Sequence, residues 1–159
     1  MKRVYNIDLS TAGINELKGG LKEFDRWVER KSSELASRLA EMGATKAEVN
    51  FSAAYYDGNY DVSVSVEERG KNSYAVVASG ATVLFVEFGS GLIGYGHPEP
   101  HGYGPGTYPS DKGHWSDPNG WWYAHGRRSH GNPPSAAMYN AVKELEMELA
   151  QVVREVFAF

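Results

Sequence analysis

A chain of 159 residues is the size of one domain, and folding at that length buries roughly 70% of the surface the unfolded chain exposes, so a core forms without staples. With 42% hydrophobic and 23% charged residues it has a folded protein's composition, and a net charge of −4 offers no electrostatic grip on a phosphate backbone. The lack of cysteine excludes disulfide scaffolds, thiolate zinc sites and thiol nucleophiles. The first residues, Met1 to Gly13, carry two basic side chains but no apolar run of signal-peptide length. No stretch approaches the roughly 20 apolar residues that span a bilayer, so the expectation is a protein that folds in the cytosol and is not embedded in a membrane.

From Ile14 to Met42 the residues Ile14, Leu17, Leu21, Phe24, Val28, Leu35 and Met42 recur at steps of three and four, with Lys31 and Arg38 as polar interruptions. The pattern predicts an amphipathic helix ending at Gly43. Gly19 and Gly20 each cost about 1 kcal/mol in a helix interior, which places the start of the long segment near Leu21. Glu48 to Tyr56 and Tyr60 to Glu68, separated by Asp57-Gly58-Asn59, read as a hairpin. Its second strand alternates Tyr60, Val62, Val64 and Val66 with polar residues. Ser73 to Ser79 follows Gly70 as a third strand, while the apolar run Ala81 to Phe88 fits either a strand or a buried helix. After Pro133-Pro134 and Ser135, the residues Met138, Val142, Leu145, Leu149, Val152 and Val156 return to helical spacing.

Between these parts lies the segment Gly89 to Gly131, which holds 11 of the 18 glycines, five of the seven prolines and all five histidines. A connection of this length usually has a function or is disordered. Disordered linkers are poor in aromatics, whereas this one carries Tyr95, Tyr103, Tyr108, Trp115, Trp121, Trp122 and Tyr123. Such rings need a surface to pack on, either the domain itself or a neighbouring subunit.

Several chemistries compete for this segment. His97, His101, Asp111, His114, Asp117, His125 and His130 contain enough ligand atoms for zinc, but the prolines around His97 and His101 rule out a helical clamp and no His-Glu-x-x-His is present. A metal- or carbohydrate-binding module built on the histidines and aromatics is the alternative reading. Gly102 to Gly106 lacks the helix a phosphate cradle needs, and no nucleophile-elbow or nucleotide-binding motif occurs, so neither a catalytic site nor a cofactor is expected. Arg127-Arg128 forms a small basic spot suited to a partner's carboxylates. Glu87, inside an apolar run, needs a partner in the fold or across an interface because a buried unpaired carboxylate is costly.

The run Val83-Leu84-Phe85-Val86-Glu87-Phe88-Gly89-Ser90-Gly91, the Gly- and Trp-bearing segment after it, and Gly131-Asn132-Pro133-Pro134-Ser135-Ala136-Ala137-Met138-Tyr139-Asn140-Ala141 leading into a terminal helix resemble the siphophage tail-component, or tail-completion, family. The order of elements resembles that family over nearly the whole chain. It departs in its long histidine-rich segment and in having Ala44-Thr45-Lys46-Ala47 where a Lys-rich exit often follows the first helix. The resemblance implies a non-enzymatic structural subunit of a tailed phage or prophage, assembled in the bacterial cytoplasm and located in the virion at the top of the tail. It implies a ring, commonly a hexamer, that joins a head connector or adaptor to the tail tube or tail terminator, with DNA at most as passing cargo. The subunit and partner contacts expected on this reading are Glu87, Phe88, Gly89, Trp115, Trp121, Trp122, Arg127 and Arg128.

The expected fold is a single α+β domain over residues 1–159. A small, mostly antiparallel sheet of three to four strands is covered by two amphipathic helices, Leu21 to Met42 and Ser135 to Phe157, and the segment 89–131 protrudes from it.

Overall fold

The structure, a computed structural model, describes residues 8, 10–54, 56, 60–96, 119–122, 126 and 128–158. Helix α1 (Thr11–Ala53) is capped by Ser10, whose side chain accepts from the Gly13 backbone N–H. At 43 residues it is about 65 Å long. Strands β1 (Ser63–Gly70) and β2 (Ser73–Ser79) form an antiparallel hairpin with Val64 opposite Ala78 and Val66 opposite Val76. Lys71 and Asn72 make the turn, and Asn72 sits at φ 58°, a left-handed conformation that asparagine tolerates better than most residues. Short helices α2 (Val83–Phe88) and α3 (Gly91–Gly96) follow, then the two-residue pair β3 (Trp121–Trp122) and β4 (Arg128–Ser129), and finally helix α4 (Ala137–Val156).

α4 lies antiparallel along α1. Phe157 meets Trp27 edge-to-face at 5.7 Å, Lys46 pairs with Glu148 at 2.9 Å and with Glu144 at 3.6 Å, and the Asn50 amide donates to Ala137 O at 3.3 Å and to Glu144 at 3.2 Å. The hairpin packs on α1 as well, and at its turn Lys71 pairs with Glu29 at 2.7 Å. Phe51, Val86 and Ala137, each at most 1% exposed, centre the core where the end of α1, the base of the hairpin, α2 and the start of α4 converge.

Several expectations are corrected. α1 runs through Gly19-Gly20 and past Gly43, and the stretch from Glu48 to Ala53, read as a strand, is its last turns. The buried positions Ala40, Gly43, Ala47 and Phe51 are spaced three and four apart, but alanine and glycine carry too little apolar weight to advertise a helix. At buried Gly43, β2 and α4 both close on α1: a Cβ there would stand 3.4 Å from Val76 and 3.5 Å from Leu145, ordinary van der Waals distances, so the site is packed yet has room for a methyl group. Tertiary packing thereby outweighs the glycine's helix propensity. The turn expected at Asp57-Gly58-Asn59 lies outside the described residues. Among the described residues the main sheet has two strands rather than three or four, because Glu48 to Ala53 belongs to α1 and Val83–Phe88 is the helix α2. The expected alternation holds in part: Val62, Val64 and Val66 are half-buried between exposed Ser63, Ser65 and Glu67, but Tyr60 is exposed, and the strand pairs with β2 instead of with Glu48 to Tyr56. The second amphipathic helix forms with slightly shifted ends, but it packs mainly on α1 rather than covering the sheet, and Val142 and Leu149 of its expected apolar face are exposed while Ala137 and Ala141 are buried. No described helix is long and apolar enough to cross a membrane.

Candidate functional site

The two ends of the segment 89–131 are locked together at the core. Ser90 and Asn132 exchange backbone hydrogen bonds of 2.9 and 3.1 Å, and the Ser90 hydroxyl donates to the Asn132 side-chain oxygen. Three successive carbonyls in the last turn of α2 are used. Phe85 O accepts from the Asn132 amide at 2.9 Å, Val86 O accepts from both the backbone N–H and the hydroxyl of Ser135 at 2.9 Å, and Glu87 O accepts from Ala136 N–H at 3.1 Å. A helix of six residues leaves such carbonyls unpaired by its own bonds, so the run Asn132 to Ala136 completes them. Pro133 and Pro134 favour extended backbone at Asn132 and Pro133, since a residue preceding proline is driven from the helical region.

Glu87, 5% exposed, aims its carboxylate at the start of α4, accepting from Met138 N–H at 2.9 Å and Tyr139 N–H at 3.2 Å. The helix's own N-cap, Ala136, has no side chain able to cap and sits at φ 50°, ψ 41°. A left-handed alanine costs on the order of 1 kcal/mol. The carboxylate supplied by α2 offsets that cost by satisfying two open N–H groups and placing negative charge at the helix's positive end. Of the two partners open to Glu87 in the sequence, a place in the fold and a neighbouring subunit, the fold supplies one.

Gly89, Gly91 and Gly131 make the turns at φ 78°, 62° and 100°. A Cβ on Gly131 would fall 1.8 Å from Ser90 O, so only glycine allows the two arms to touch. Beyond the lock, Ile93 N–H reaches His130 O at 3.1 Å, and Gly131 N–H reaches the Ser129 hydroxyl at 3.0 Å. Every buried side-chain nitrogen or oxygen among the described residues has a partner. The entrance to α2 is held in the same manner: Asp61 accepts from Ala81 N–H at 2.7 Å, Thr82 N–H at 3.0 Å and the Thr82 hydroxyl. The Thr82 hydroxyl first, and then the two N–H groups, hold the Asp61 carboxyl below its ordinary range.

Of the expected contact residues, Glu87, Phe88 and Gly89 are thus buried or half-buried parts of this brace. Arg128 is exposed on β4, where its backbone pairs with that of Trp122, and the backbone of Trp121 pairs with that of Ser129. Trp115 and Arg127 lie outside the described residues, as do His97, His101, His114 and His125; His130 is exposed. Among the described residues no three His, Asp or Glu side chains gather as a metal site. The bracing roles of Asn132, Ser135, Ala136 and Asp61 are not among the sequence expectations. A polar residue between a glycine and a proline pair is the available signal for Asn132.

Neither a protein family, a curated protein nor a solved structure matches the chain.

Proposed function

We propose that this chain is a non-enzymatic structural subunit of a tailed-phage or prophage particle, a tail-completion or head-to-tail joining protein that assembles as a ring, commonly a hexamer, at the neck. The observation that carries the reading is the brace. The segments on which the resemblance to the siphophage tail-component family rests, Val83 to Gly91 and Gly131 to Ala141, lie some 40 residues apart, and in the fold they bond to each other through Ser90, Asn132, Ser135 and Glu87. Closing a long loop costs entropy that grows slowly with its length, and buried hydrogen bonds at the two ends offset it. A rigid base from which a long aromatic- and glycine-rich segment departs and returns suits a subunit that grips neighbours. On this reading the partners are further copies, a head connector or adaptor, and the tail tube or terminator.

Trp115, Trp121 and Trp122 are the anchors of assembly in this proposal, because interfaces concentrate their energy in such residues. Replacing each by alanine should leave the isolated chain's denaturant midpoint unchanged while tailless heads and free tails accumulate in a complementation assay. Truncating a tryptophan that a partner fully buries costs about 2 kcal/mol or more, roughly a 30-fold loss of affinity. Normal yields of tailed particles from all three variants would overturn the proposal.

A further inference from the structure

Phe157 packs on Trp27, and residues 11–26 of α1 lie N-terminal to that contact, a length of about 24 Å. This overhang carries an apolar seam of Ile14, Leu17, Leu21 and Phe24, and Ile14, Leu21 and Phe24 remain 42%, 51% and 41% exposed. A helix of this length containing two adjacent glycines is marginal in water unless its apolar face is covered.

We infer that the seam pairs with the same seam of a second copy as a short antiparallel coiled coil. The spacing 14, 17, 21, 24, 28 is that of alternating a and d positions, which puts Lys18 and Asp25 at e and Gly20 and Trp27 at g. Antiparallel helices set e against e and g against g. With Leu21 opposite Phe24 and Leu17 opposite Val28 of the second copy, Lys18 faces Asp25 of the other chain twice over. In the same alignment the Trp27 indole of each chain stands beside the gap left by Gly20 of the other. Sliding the pair by one heptad, with Leu17 opposite Leu21, sets Lys18 against Lys18. Parallel pairing sets Gly20 beside Asp25 and Trp27 beside Ser32, which yields no charge pair. Charge and side-chain size therefore select the same alignment, which extends the seam to half-buried Val28 and sets Ile14 opposite Lys31. Trp27 is ordered for this role by Phe24, stacked on it at 5.8 Å, and by Phe157, and Asp25 lies in the field of Lys71 at the hairpin turn.

This pairing stands apart from the neck reading, and either can fail alone. Sedimentation equilibrium of the full chain from about 5 µM to about 500 µM should show the average mass rising from one chain toward two, a range in which a micromolar to near-millimolar dimer is visible. Leu21→Glu, at an exposed position, should weaken the dimer on the order of 100-fold with an unchanged unfolding midpoint, since both copies lose an apolar contact. Lys18→Asp and Asp25→Lys should each weaken it roughly 5- to 10-fold, and the two variants mixed, or both changes in one chain, should restore it. A wild-type chain that stays monomeric throughout, a Leu21→Glu chain that associates as wild type does, or single charge reversals with no effect would each overturn the inference.

Discussion

Two glycine sites show how differently the halves of this molecule are held. Gly131 lies in a buried lock of crossed hydrogen bonds, where a Cβ would stand 1.8 Å from Ser90 O; Gly19 lies on the α1 overhang, where a Cβ would meet nothing within 4 Å. The lock is specified by backbone approach and leaves no room for another residue. The overhang is specified by little beyond its apolar seam, so its order depends on what covers it. Rigidity is concentrated at the end of the molecule where the long segment is rooted, and tolerance at the opposite end of α1.

The widest gap between the two should appear on adding a methyl group. Gly131→Ala is expected to destabilise the fold by about 4 kcal/mol, combining a left-handed φ of 100° with a backbone collision, and a large fall in denaturant midpoint would register it. Next comes Glu87→Gln, which keeps shape but turns an amide N–H₂ toward one of the N–H groups of Met138 and Tyr139. Leaving that buried donor without an acceptor should cost about 2 kcal/mol, with early loss of amide protection in the first turn of α4. An unchanged midpoint would mean that the lock does not depend on this cap.

A smaller effect is expected at Asp61. Its carboxyl stays ionised in the folded protein to a lower pH than in the unfolded chain, so its contribution is complete above about pH 4 and fades as pH falls through the depressed folded value. The difference in stability between wild type and Asp61→Asn should therefore be constant near neutrality and shrink in acid. A difference that is independent of pH down to about 2 would contradict the hydrogen-bond assignment. At the other end of the scale, Gly19→Ala should help, raising helicity in the overhang by about 1 kcal/mol of local propensity and slowing hydrogen exchange from Ile14 to Phe24.

Much of this was legible in the chain. The α4 periodicity, the alternation of Val62, Val64 and Val66, the seam from Ile14 to Phe24, and the need of Glu87 for a partner all follow from local spacing and the cost of burying charge. What misled was small residues. Gly43 reads as a helix stop and Ala47 as neutral, and only tertiary packing, with Val76 and Leu145 closing on Gly43, makes both buried positions of a longer helix that takes Glu48 to Ala53 from the expected sheet.

The sequence by itself determined the α+β class, the existence of the two long helices and the hairpin's valine alternation, and the glycine- and aromatic-rich character of the segment 89–131, because these rest on residue types and on periods of two and 3.6. The tertiary structure alone decided that Glu87 caps α4 in place of the mute Ala136, and that Ser90 meets Asn132 across more than 40 residues. Those contacts join atoms far apart in the chain, and their stability comes from excluding water around paired polar groups, a condition that local spacing does not encode.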